Sequence, residues 1–382
     1  MSSATARVYL DHAATSPLRP QARAALTEYA GLVGNASSLH TSGRRARQVL
    51  EEARESLAAD LGAAPAEVIF TSGGTEADNL AVQGSWLARR PGRNRVLASA
   101  IEHPAVAETV GALRTAGADA REIPVDAAGL LDLTALNDLL TEPTAVVSVM
   151  AVNNETGTAQ DLAEVTRRAQ AAGAWMHADA VQALGHLPID FAASGLDLLS
   201  VSAHKVGGPI GIGALLARKD RSPRPIGHGG GQERDLRSGT LAPALAAAFA
   251  AAVRAATTAR EADRAAQTRW RSRIAAAVTE IPGGRVNGAP GSPAIVNVSF
   301  ADCRADDVLL LLDRAGIDVS TGSACTAGVH QPSPVLAAMG RTDEQARQSL
   351  RISMGWTTTD ADITALLAAL PESVARAQLA YS

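Results

Sequence analysis

From about residue 67 onward, short apolar runs rich in β-branched residues alternate with longer stretches of helical pattern. The strand candidates are residues 68–71, 95–100, 145–151, 175–179 and 196–202, and the helix candidates among them are 75–90, 104–115 and 162–172. Strands separated by helices of this length are typical of a parallel sheet that helices cover on both faces. The pattern therefore predicts an α/β fold.

The second half of the chain has a different pattern. An alanine-rich run from Pro243 to about Ile281 predicts one or two long helices, and a strand candidate begins at Ala294. Beyond it lie a helix near 306–315, a strand near 350–353 and a last helix from about Asp360, which is an α+β pattern. A length of 382 residues suggests two domains, or one large core with an appendage. We therefore predict a domain change near the alanine-rich run.

Charge and cysteine content exclude several classes of function. The net charge is -4 and no long basic run occurs, which argues against binding to nucleic acid or to a membrane surface. No stretch approaches the roughly 20 consecutive apolar residues of a membrane span, and Asp11 and Arg19 interrupt any signal peptide. Cys303 and Cys325 are too few for a disulfide framework, so we expect two free thiols. We expect a folded cytoplasmic protein that binds small molecules and other proteins.

Lysine is rare in this chain, since only Lys205 and Lys219 occur among 35 basic residues. Arginine can replace lysine as a surface charge, but its guanidinium cannot form an imine. Lys205 ends the string Ser202-Ala203-His204-Lys205, directly after a strand candidate. A lysine at the C-terminal end of a strand points into the crevice where open α/β sheets bind ligands. We predict that Lys205 forms a Schiff base, with an exposed loop lysine as the alternative.

Two glycine-containing segments have the donors that a phosphate needs. In Ser72-Gly73-Gly74-Thr75-Glu76 a strand ends and a helix begins, so free N–H groups and the Thr75 hydroxyl can point at an anion. The alternative is an ordinary helix cap, with Thr75 as the capping residue and Asp78 at its third position. The second segment is Gly229-Gly230-Gly231-Gln232-Glu233, which precedes Arg237-Ser238-Gly239-Thr240.

Asp179 ends another strand candidate, in the string His177-Ala178-Asp179. A carboxylate beside the ring nitrogen of pyridoxal phosphate keeps that nitrogen protonated, so that the ring acts as an electron sink. We expect Asp179 and Lys205 to face one such ring. Two alternatives stay open: His177, Asp179 and His204 as metal ligands, or Asp179 as a helix cap.

Three further positions offer polar groups at the ends of elements or among apolar residues. His103 precedes Pro104 and would cap a helix or stack on a cofactor ring. Asn153-Asn154-Glu155 follows an apolar run, and a simple turn is the equal alternative. Arg351 lies between Leu350 and Ile352, where a guanidinium needs a carboxylate, so a structural salt bridge is its alternative.

Cys325 lies in a run of small residues from Ser320 to Gly328. A thiol in such a segment is open to solvent and can ionise, whereas inert cysteines lie among apolar neighbours. We predict that Cys325 is a nucleophile and that Cys303, at the end of a strand candidate, is structural.

Taken in this order, the motifs resemble those of cysteine desulfurases of the IscS/NifS type, within the class V aminotransferase-like pyridoxal-phosphate enzymes. The resemblance runs from Tyr9-Leu10-Asp11-His12-Ala13-Ala14-Thr15 to Ser349-Leu350-Arg351-Ile352-Ser353. It implies an α/β homodimer of fold type I. A large domain, residues 14–257, would hold a mostly parallel seven-stranded sheet, and a small α+β domain, residues 1–13 and 258–382, would carry the Cys325 loop.

The resemblance also implies a role for each site residue. Lys205, Cys325 and His103 would be catalytic, while Asn35, Asn154 and Arg351 would bind the substrate. No resident metal is implied, with Cys325 as a transient ligand of an iron–sulfur centre at most. Pyridoxal phosphate would be held by Gly74, Thr75, His103, Asn154, Asp179, Gln182, Ser202, His204 and Lys205, and by Thr240 of the other subunit.

The activity that the resemblance implies is conversion of L-cysteine to L-alanine. The sulfur would pass as a persulfide on Cys325 to acceptor proteins such as an iron–sulfur scaffold, for cluster assembly and for tRNA thiolation. Neither nucleic acid nor membrane would be a direct partner. The alternatives are a selenocysteine lyase or another lyase or aminotransferase of this fold, and, in a different class, a scaffold that binds sulfur-transfer partners without turnover. Ala178, Thr156 and Trp356 depart from the family's commonest pattern, and none of them removes a chemical role.

Overall fold

The computed structural model describes residues 7–322 and 332–381. The strands are β1 Val8–Tyr9, β2 Val68–Thr71, β3 Arg95–Ser99, β4 Asp119–Ile123, β5 Thr144–Ser148, β6 Trp175–Asp179, β7 Leu198–Ser202, β8 Gly213–Ala217, β9 Gly284–Asn287, β10 Ile295–Phe300, β11 Ile317–Asp318 and β12 Ser349–Ser353. The helices are α1 Pro20–Tyr29, α2 Thr41–Leu61, α3 Gly74–Arg89, α4 Pro104–Thr115, α5 Leu133–Leu139, α6 Leu162–Ala171, α7 Phe191–Ser194, α8 Pro243–Glu280, α9 Ala305–Arg314, α10 Pro334–Ala338, α11 Asp343–Arg347 and α12 Asp360–Tyr381.

Seven strands form the central sheet, in the order β2-β8-β7-β6-β5-β3-β4. Neighbouring strands run parallel except where β8 pairs antiparallel with β2 and with β7. Strands β2, β5, β7 and β8 are buried along their whole length, as expected for a sheet that helices cover on both faces. The predicted α/β fold with a mostly parallel seven-stranded sheet is confirmed.

Some elements of the sheet region have no strong pattern in the sequence. Strand β4 carries three charged residues and β8 follows a glycine-rich run, so neither reads as an apolar strand. The alanine-rich run forms one helix, α8, of 38 residues. Within residues 7–322 and 332–381, no helix combines the length and the apolarity needed to cross a membrane.

A second, antiparallel sheet has the order β12-β10-β9. Its apolar cluster includes Trp270 and Ile274 of α8, Val298 of β10 and Leu366 of α12. Leu10 belongs to the same cluster because β1 pairs with β11 beside this sheet. The earlier part of α8, including Phe249, packs with the cluster that covers the large sheet. One helix therefore contributes to both clusters, and the domain limits at residues 13 and 257 stay a prediction.

Gly213 aligns the two strand ends that frame the future site. It pairs with Thr71 at the end of β2 and with Ser202 at the end of β7. A Cβ atom at position 213 would lie 2.6 Å from the carbonyl oxygen of Val201 and 2.8 Å from the Cα of Gly73. Both neighbours are backbone atoms that cannot rotate away. The absence of a side chain at 213 thus brings the turn after β2 against β7.

We expect Gly213→Ala to destabilise the fold by about 1–3 kcal/mol, because two backbone segments must separate to admit the methyl group. Urea unfolding followed by circular dichroism measures the change. Gly111→Ala is the matched control, since position 111 lies within α4 and has nothing within 4 Å of the added Cβ. The control should be neutral or stabilised by up to about 1 kcal/mol, and equal stability of the two variants would contradict the argument.

Candidate active site

A cavity of about 250 Å³ opens at the C-terminal edge of the large sheet. Ser202 ends β7, Asp179 ends β6 and Met150 follows β5, as expected for a crevice at the carboxyl ends of parallel strands. Its walls consist of Ala13, Ala14, Gly74, Thr75, Asp78, His103, Met150, Asn154, Asp179, Val181, Gln182, Ser202, His204, Lys205 and Arg351. Most of these are predicted site residues, so the fold brings together side chains from across the sequence.

One wall of the cavity is the N-terminus of α3. The helix begins at Gly74, and its capping position, Gly73, makes no side-chain capping hydrogen bond. The capping alternative is therefore wrong for Thr75, and Asp78 lies one turn inside the helix, 1% exposed. A helix of 16 residues leaves free N–H groups and a partial positive charge at this end. The wall is suited to an anion.

Lys205 lies in a single turn of 3-10 helix directly after β7. Its Nζ donates to the carbonyl oxygens of Ala13 at 2.6 Å and Ala14 at 2.9 Å. Both carbonyls belong to the N-terminal arm, which the sequence does not connect with this lysine. These contacts hold the amine at the wall of the cavity. The exposed-loop alternative is wrong, since Lys205 is half-buried and lines the cavity.

His204 contributes a neutral imidazole beside that lysine. Its Nδ1 lies 3.2 Å from the Thr15 hydroxyl. Burial, and then the charge of Lys205, lower the pKa of His204 to about 4. At neutral pH its ring therefore offers one N–H donor and one acceptor.

Asp179 is a buried carboxyl whose Oδ1 accepts a hydrogen bond from the backbone N–H of Val181 at 2.8 Å. Burial raises its pKa, while nearby His103 and Lys205 oppose that shift. Because a nearby positive charge lowers the pKa of a carboxyl, a cationic group in the cavity would favour the ionised form of Asp179.

His177 lies two residues earlier on β6 and is held between strands. Its Nδ1 lies 2.8 Å from Ser148 Oγ and its Nε2 lies 2.9 Å from Ser200 Oγ. Burial lowers its pKa to about 3, so it is neutral. It does not line the cavity, and among the residues that the structure describes no His, Cys, Asp and Glu group has a metal-binding arrangement. The geometry does not support the metal alternative for His177, Asp179 and His204.

His103 caps α4, as the sequence predicts. Its Nδ1 accepts from the backbone N–H of Ala105 at 3.1 Å, and Pro104 occupies the first turn. The cap fixes the tautomer with the proton on Nε2 and fixes the plane of the ring. Burial lowers the pKa of His103. A neutral ring of fixed orientation therefore forms part of the cavity wall, so capping and a role at the cavity are compatible.

Arg351 enters the cavity from the second sheet, on β12. It is 2% exposed and donates to the Asn154 carbonyl at 3.0 Å and to Asp11 Oδ1 at 2.9 Å. The salt-bridge alternative thus describes one of its contacts, although the side chain also lines the cavity. Its buried Nε has no hydrogen-bond partner in the described part of the chain. A guanidinium with an unused donor can accept a further anionic ligand.

Two predicted residues do not line this cavity. Asn35 is exposed and its side chain accepts from the N–H of Ser37 at 2.9 Å. Thr240 is also exposed and lines a separate cavity beside Ser72. Within one chain, the segment after Gly231 turns elsewhere, since Glu233 binds Arg54 at 2.6 Å.

The structure describes one of the two cysteines. Cys325 lies outside the described residues. Cys303 is buried, and burial raises the pKa of its thiol to about 11, so its predicted structural role is confirmed.

Asp78 and Glu155 are buried acids near the site that the sequence does not single out as functional. Asp78 lines the cavity, and Glu155 Oε2 accepts from Ser333 Oγ at 2.6 Å. An acidic residue among the apolar positions of α3 is the signal that could have found Asp78. Burying a carboxyl costs free energy, so such a residue is rarely retained without a role.

The sequence profile of the aminotransferase class-V family matches residues 8–366. The chain belongs to this family. It is 49% identical to the IscS-like cysteine desulfurase of Mycobacterium tuberculosis, with 97% of each chain covered. It is 38% identical to the cysteine desulfurase IscS of Dictyoglomus turgidum, with 93% of this chain and 91% of that protein covered.

Solved structures agree with this membership of the class-V family. A NifS-like protein superimposes with a TM-score of 0.91 at 32% identity, covering 97% of this chain and all of that one. DndA from Streptomyces lividans superimposes with a TM-score of 0.77 at 37% identity, covering 90% of this chain and 99% of that one. The predicted resemblance to the IscS/NifS type and its fold are confirmed.

We expect the buried His177 to make the fold less stable at acidic pH. The unfolded chain binds a proton at this residue near pH 6.5, whereas the folded chain does so only near pH 3. Stability is therefore lost as the pH falls, by about 2 kcal/mol between pH 7 and pH 5 for this one side chain.

Urea unfolding at a series of pH values, compared between wild type and His177→Gln, measures that contribution. The variant should show the smaller loss of stability between pH 7 and pH 5. His228→Gln, at an exposed position, is the matched control and should follow the wild type. Parallel curves for wild type and His177→Gln would contradict the assigned neutral state.

Proposed function

We propose that this chain is a cysteine desulfurase that binds pyridoxal phosphate in the 250 Å³ cavity and carries the released sulfur on Cys325. The observation that supports this most directly is the meeting of Lys205, Asp179 and the N-terminus of α3 in one cavity. The names of the M. tuberculosis and D. turgidum relatives point to the same activity.

The residues of the cavity fit the three parts of pyridoxal phosphate. A phosphate suits the N-terminus of α3 with the hydroxyls of Thr75 and Ser202. A Cβ at position 74 would lie 2.8 Å from Val181 Cγ2, so a glycine there lets the start of α3 lie against the turn after β6. The carboxyl of Asp179 suits the ring nitrogen, and the amine of Lys205 suits the aldehyde.

When bound, the cofactor supplies an aldehyde that joins amines covalently and a protonated ring that withdraws electrons from the substrate carbon. Lys205 Nζ would hold the cofactor aldehyde and would be freed as an amine when L-cysteine binds. The Ala13 and Ala14 carbonyls keep the freed amine in the cavity, where it can take the proton from the α-carbon. The neutral ring of His103, oriented by its capping bond, would pack on the cofactor ring.

Arg351 and Asn154 are the proposed binding groups for the substrate carboxylate. Arg351 is buried and reaches the cavity with one donor unused, and Asn154 lies beside it. A guanidinium fits a carboxylate through two parallel hydrogen bonds. The Asp11 contact lies on the same guanidinium, so a bound carboxylate would share or replace it.

The sulfur step takes place between the thiol of Cys325 and the thiol of the substrate L-cysteine. The Cys325 thiolate attacks the sulfur of the substrate, the bond between that sulfur and the β-carbon breaks, and its electrons stay on carbon, which is then protonated. The products are alanine and a persulfide on Cys325. We also propose that acceptor proteins, an iron–sulfur scaffold among them, take this sulfur, with tRNA thiolation as a further use. That part follows from the resemblance to the IscS type.

A homodimer accounts for the two predicted residues that lie away from the cavity. Thr240 and Asn35 are both exposed, as are the apolar side chains of Val33, Leu39 and Ile210. Large apolar side chains at the surface are typical of association sites. In such a homodimer, Thr240 of one subunit would reach the cofactor phosphate in the cavity of the other subunit.

Lys205→Ala should abolish both the visible absorbance of the lysine-bound cofactor and the release of alanine from L-cysteine, by more than about 100-fold. The reason is that no other amine stands at the cavity wall in the described structure. Lys219→Ala removes the second lysine of the chain and should keep both properties. Turnover by Lys205→Ala at the level of Lys219→Ala would refute the assignment.

Cys325→Ala should bind the cofactor and remain yellow but lose production of alanine and sulfide by more than about 100-fold. Mass spectrometry of the trapped wild-type protein should find one extra sulfur atom on the peptide with Cys325. Cys303→Ala is the matched control for the other thiol and should keep turnover, because Cys303 is buried away from the cavity. Sulfide release by Cys325→Ala would show that the nucleophile is wrong.

A further inference from the structure

Three carboxyl groups are buried together beneath the cavity, although the proposed reaction uses only one of them. Asp78 lies on α3, Glu102 lies just before α4 and Asp179 ends β6. Their exposed fractions are 1%, 6% and 5%. Asp78 and Asp179 line the cavity, and Glu102 Oε1 accepts from the backbone N–H of Met150, another lining residue, at 2.7 Å. Three neighbouring carboxyl groups that are buried away from water cannot all be ionised at neutral pH.

Asp78 and Glu102 each have one oxygen without a hydrogen-bond partner among the described residues. These atoms are Asp78 Oδ1 and Glu102 Oε2. The nearest base to Asp78 is His177, whose Nε2 lies 3.7 Å from Oδ1 and bonds to Ser200 instead. A buried carboxylate with an unpaired oxygen and no cation is strongly disfavoured. A proton on the carboxyl removes the charge, and a buried neutral acid costs less free energy than a buried unpaired charge.

The groups that face this cluster make the three acids unequal. The titratable groups of the cluster belong to four segments. They are Asp78 of α3, Glu102 and His103 before α4, His177 and Asp179 of β6, and His204 and Lys205 after β7. Burial, and then the charge of Asp179, raise the pKa values of Asp78 and Glu102, and the hydrogen bonds from Ser200 to Asp78 and from Met150 to Glu102 only partly oppose this. The hydrogen bond from the backbone N–H of Val181 and the charge of Lys205 act in the opposite direction on the pKa of Asp179, whereas the neutral His103 adds no charge. The charge of Lys205 therefore favours ionisation of Asp179 over that of Asp78 and Glu102.

We propose that Asp78 and Glu102 each carry a proton in the working enzyme and act as positioning residues that leave Asp179 as the one ionised carboxylate beneath the cofactor. The proposal rests on the proposed function for the role of Asp179, but the protonation of the other two acids does not depend on it. The reaction also gives a reason for the arrangement. More negative charges at this depth would hold Lys205 as an ammonium ion, and an ammonium ion cannot take a proton from the substrate.

Infrared difference spectroscopy tests the protonation directly. The C=O stretch of a protonated carboxylic acid lies apart from the bands of a carboxylate and shifts in D₂O. Spectra of wild type against Asp78→Asn and against Glu102→Gln, at pH 7.5 and without cofactor, should each show the loss of one protonated carboxyl band. If one variant fails to fold, the comparison of wild type with the other variant still shows whether that other residue is protonated. Loss of carboxylate bands instead would overturn the proposal.

A second measurement tests the charge at the cofactor in the loaded protein. An amide has the shape and the charge of a protonated acid, so Asp78→Asn and Glu102→Gln should leave the pH midpoint of the cofactor absorbance within about 0.3 unit of the wild type. Asp179→Asn removes a real charge and should move that midpoint by more than about one unit, or lose the cofactor. A shift of about one unit in either amide variant would mean that the acid is ionised.

The two measurements separate this proposal from the proposed function. If the wild type binds no cofactor, the proposed function fails, while the infrared bands of the cofactor-free protein still report whether Asp78 and Glu102 are protonated.

Discussion

The site depends on one constraint of the sheet, which is that the carboxyl ends of β2, β5, β6 and β7 meet at the same edge. Strand β8 joins β2 to β7, and Gly213 pairs with the last residues of both. Because position 213 has no side chain, the turn that starts α3 lies directly against β7. The N-terminus of α3, the Asp179 carboxyl and the Lys205 amine then reach one cavity without any loop longer than a turn.

Electrostatics within this cavity follow from burial. Histidines 103, 177 and 204 are all neutral, because removal from water disfavours their protonated forms. The amine of Lys205 is held by two backbone carbonyls, which accept hydrogen bonds but carry no full charge. The histidines therefore add no charge, which leaves the charged side chains of the cavity wall to interact with the charges of a ligand. The N-terminus of α3 and the Arg351 guanidinium are suited to negative groups of a ligand, and Asp179 is suited to a positive one.

Much of the candidate site could be predicted because its residues have local signals. Strands β2 and β6 and helix α4 occur where the apolar pattern places them, and His103 caps its helix as the Pro104 neighbour indicates. The scarcity of lysine pointed to Lys205. Two kinds of element gave no such signal. Strand β4 is partly charged on its exposed edge position, and β8 owes its place to pairing on both sides, so local propensity did not distinguish them.

By itself, the amino-acid sequence determined which chemical groups stand at the ends of strands and helices, because periodicity and capping act over a few residues. Only the tertiary structure decided which of those ends share a cavity. It brought the carbonyls of Ala13 and Ala14 to Lys205, placed Asp11 on Arg351, and left Asn35 and Thr240 on the surface. It also buried Asp78 beside Asp179. These contacts join residues far apart in the chain, and their energies come from burial and pairing that no local pattern encodes.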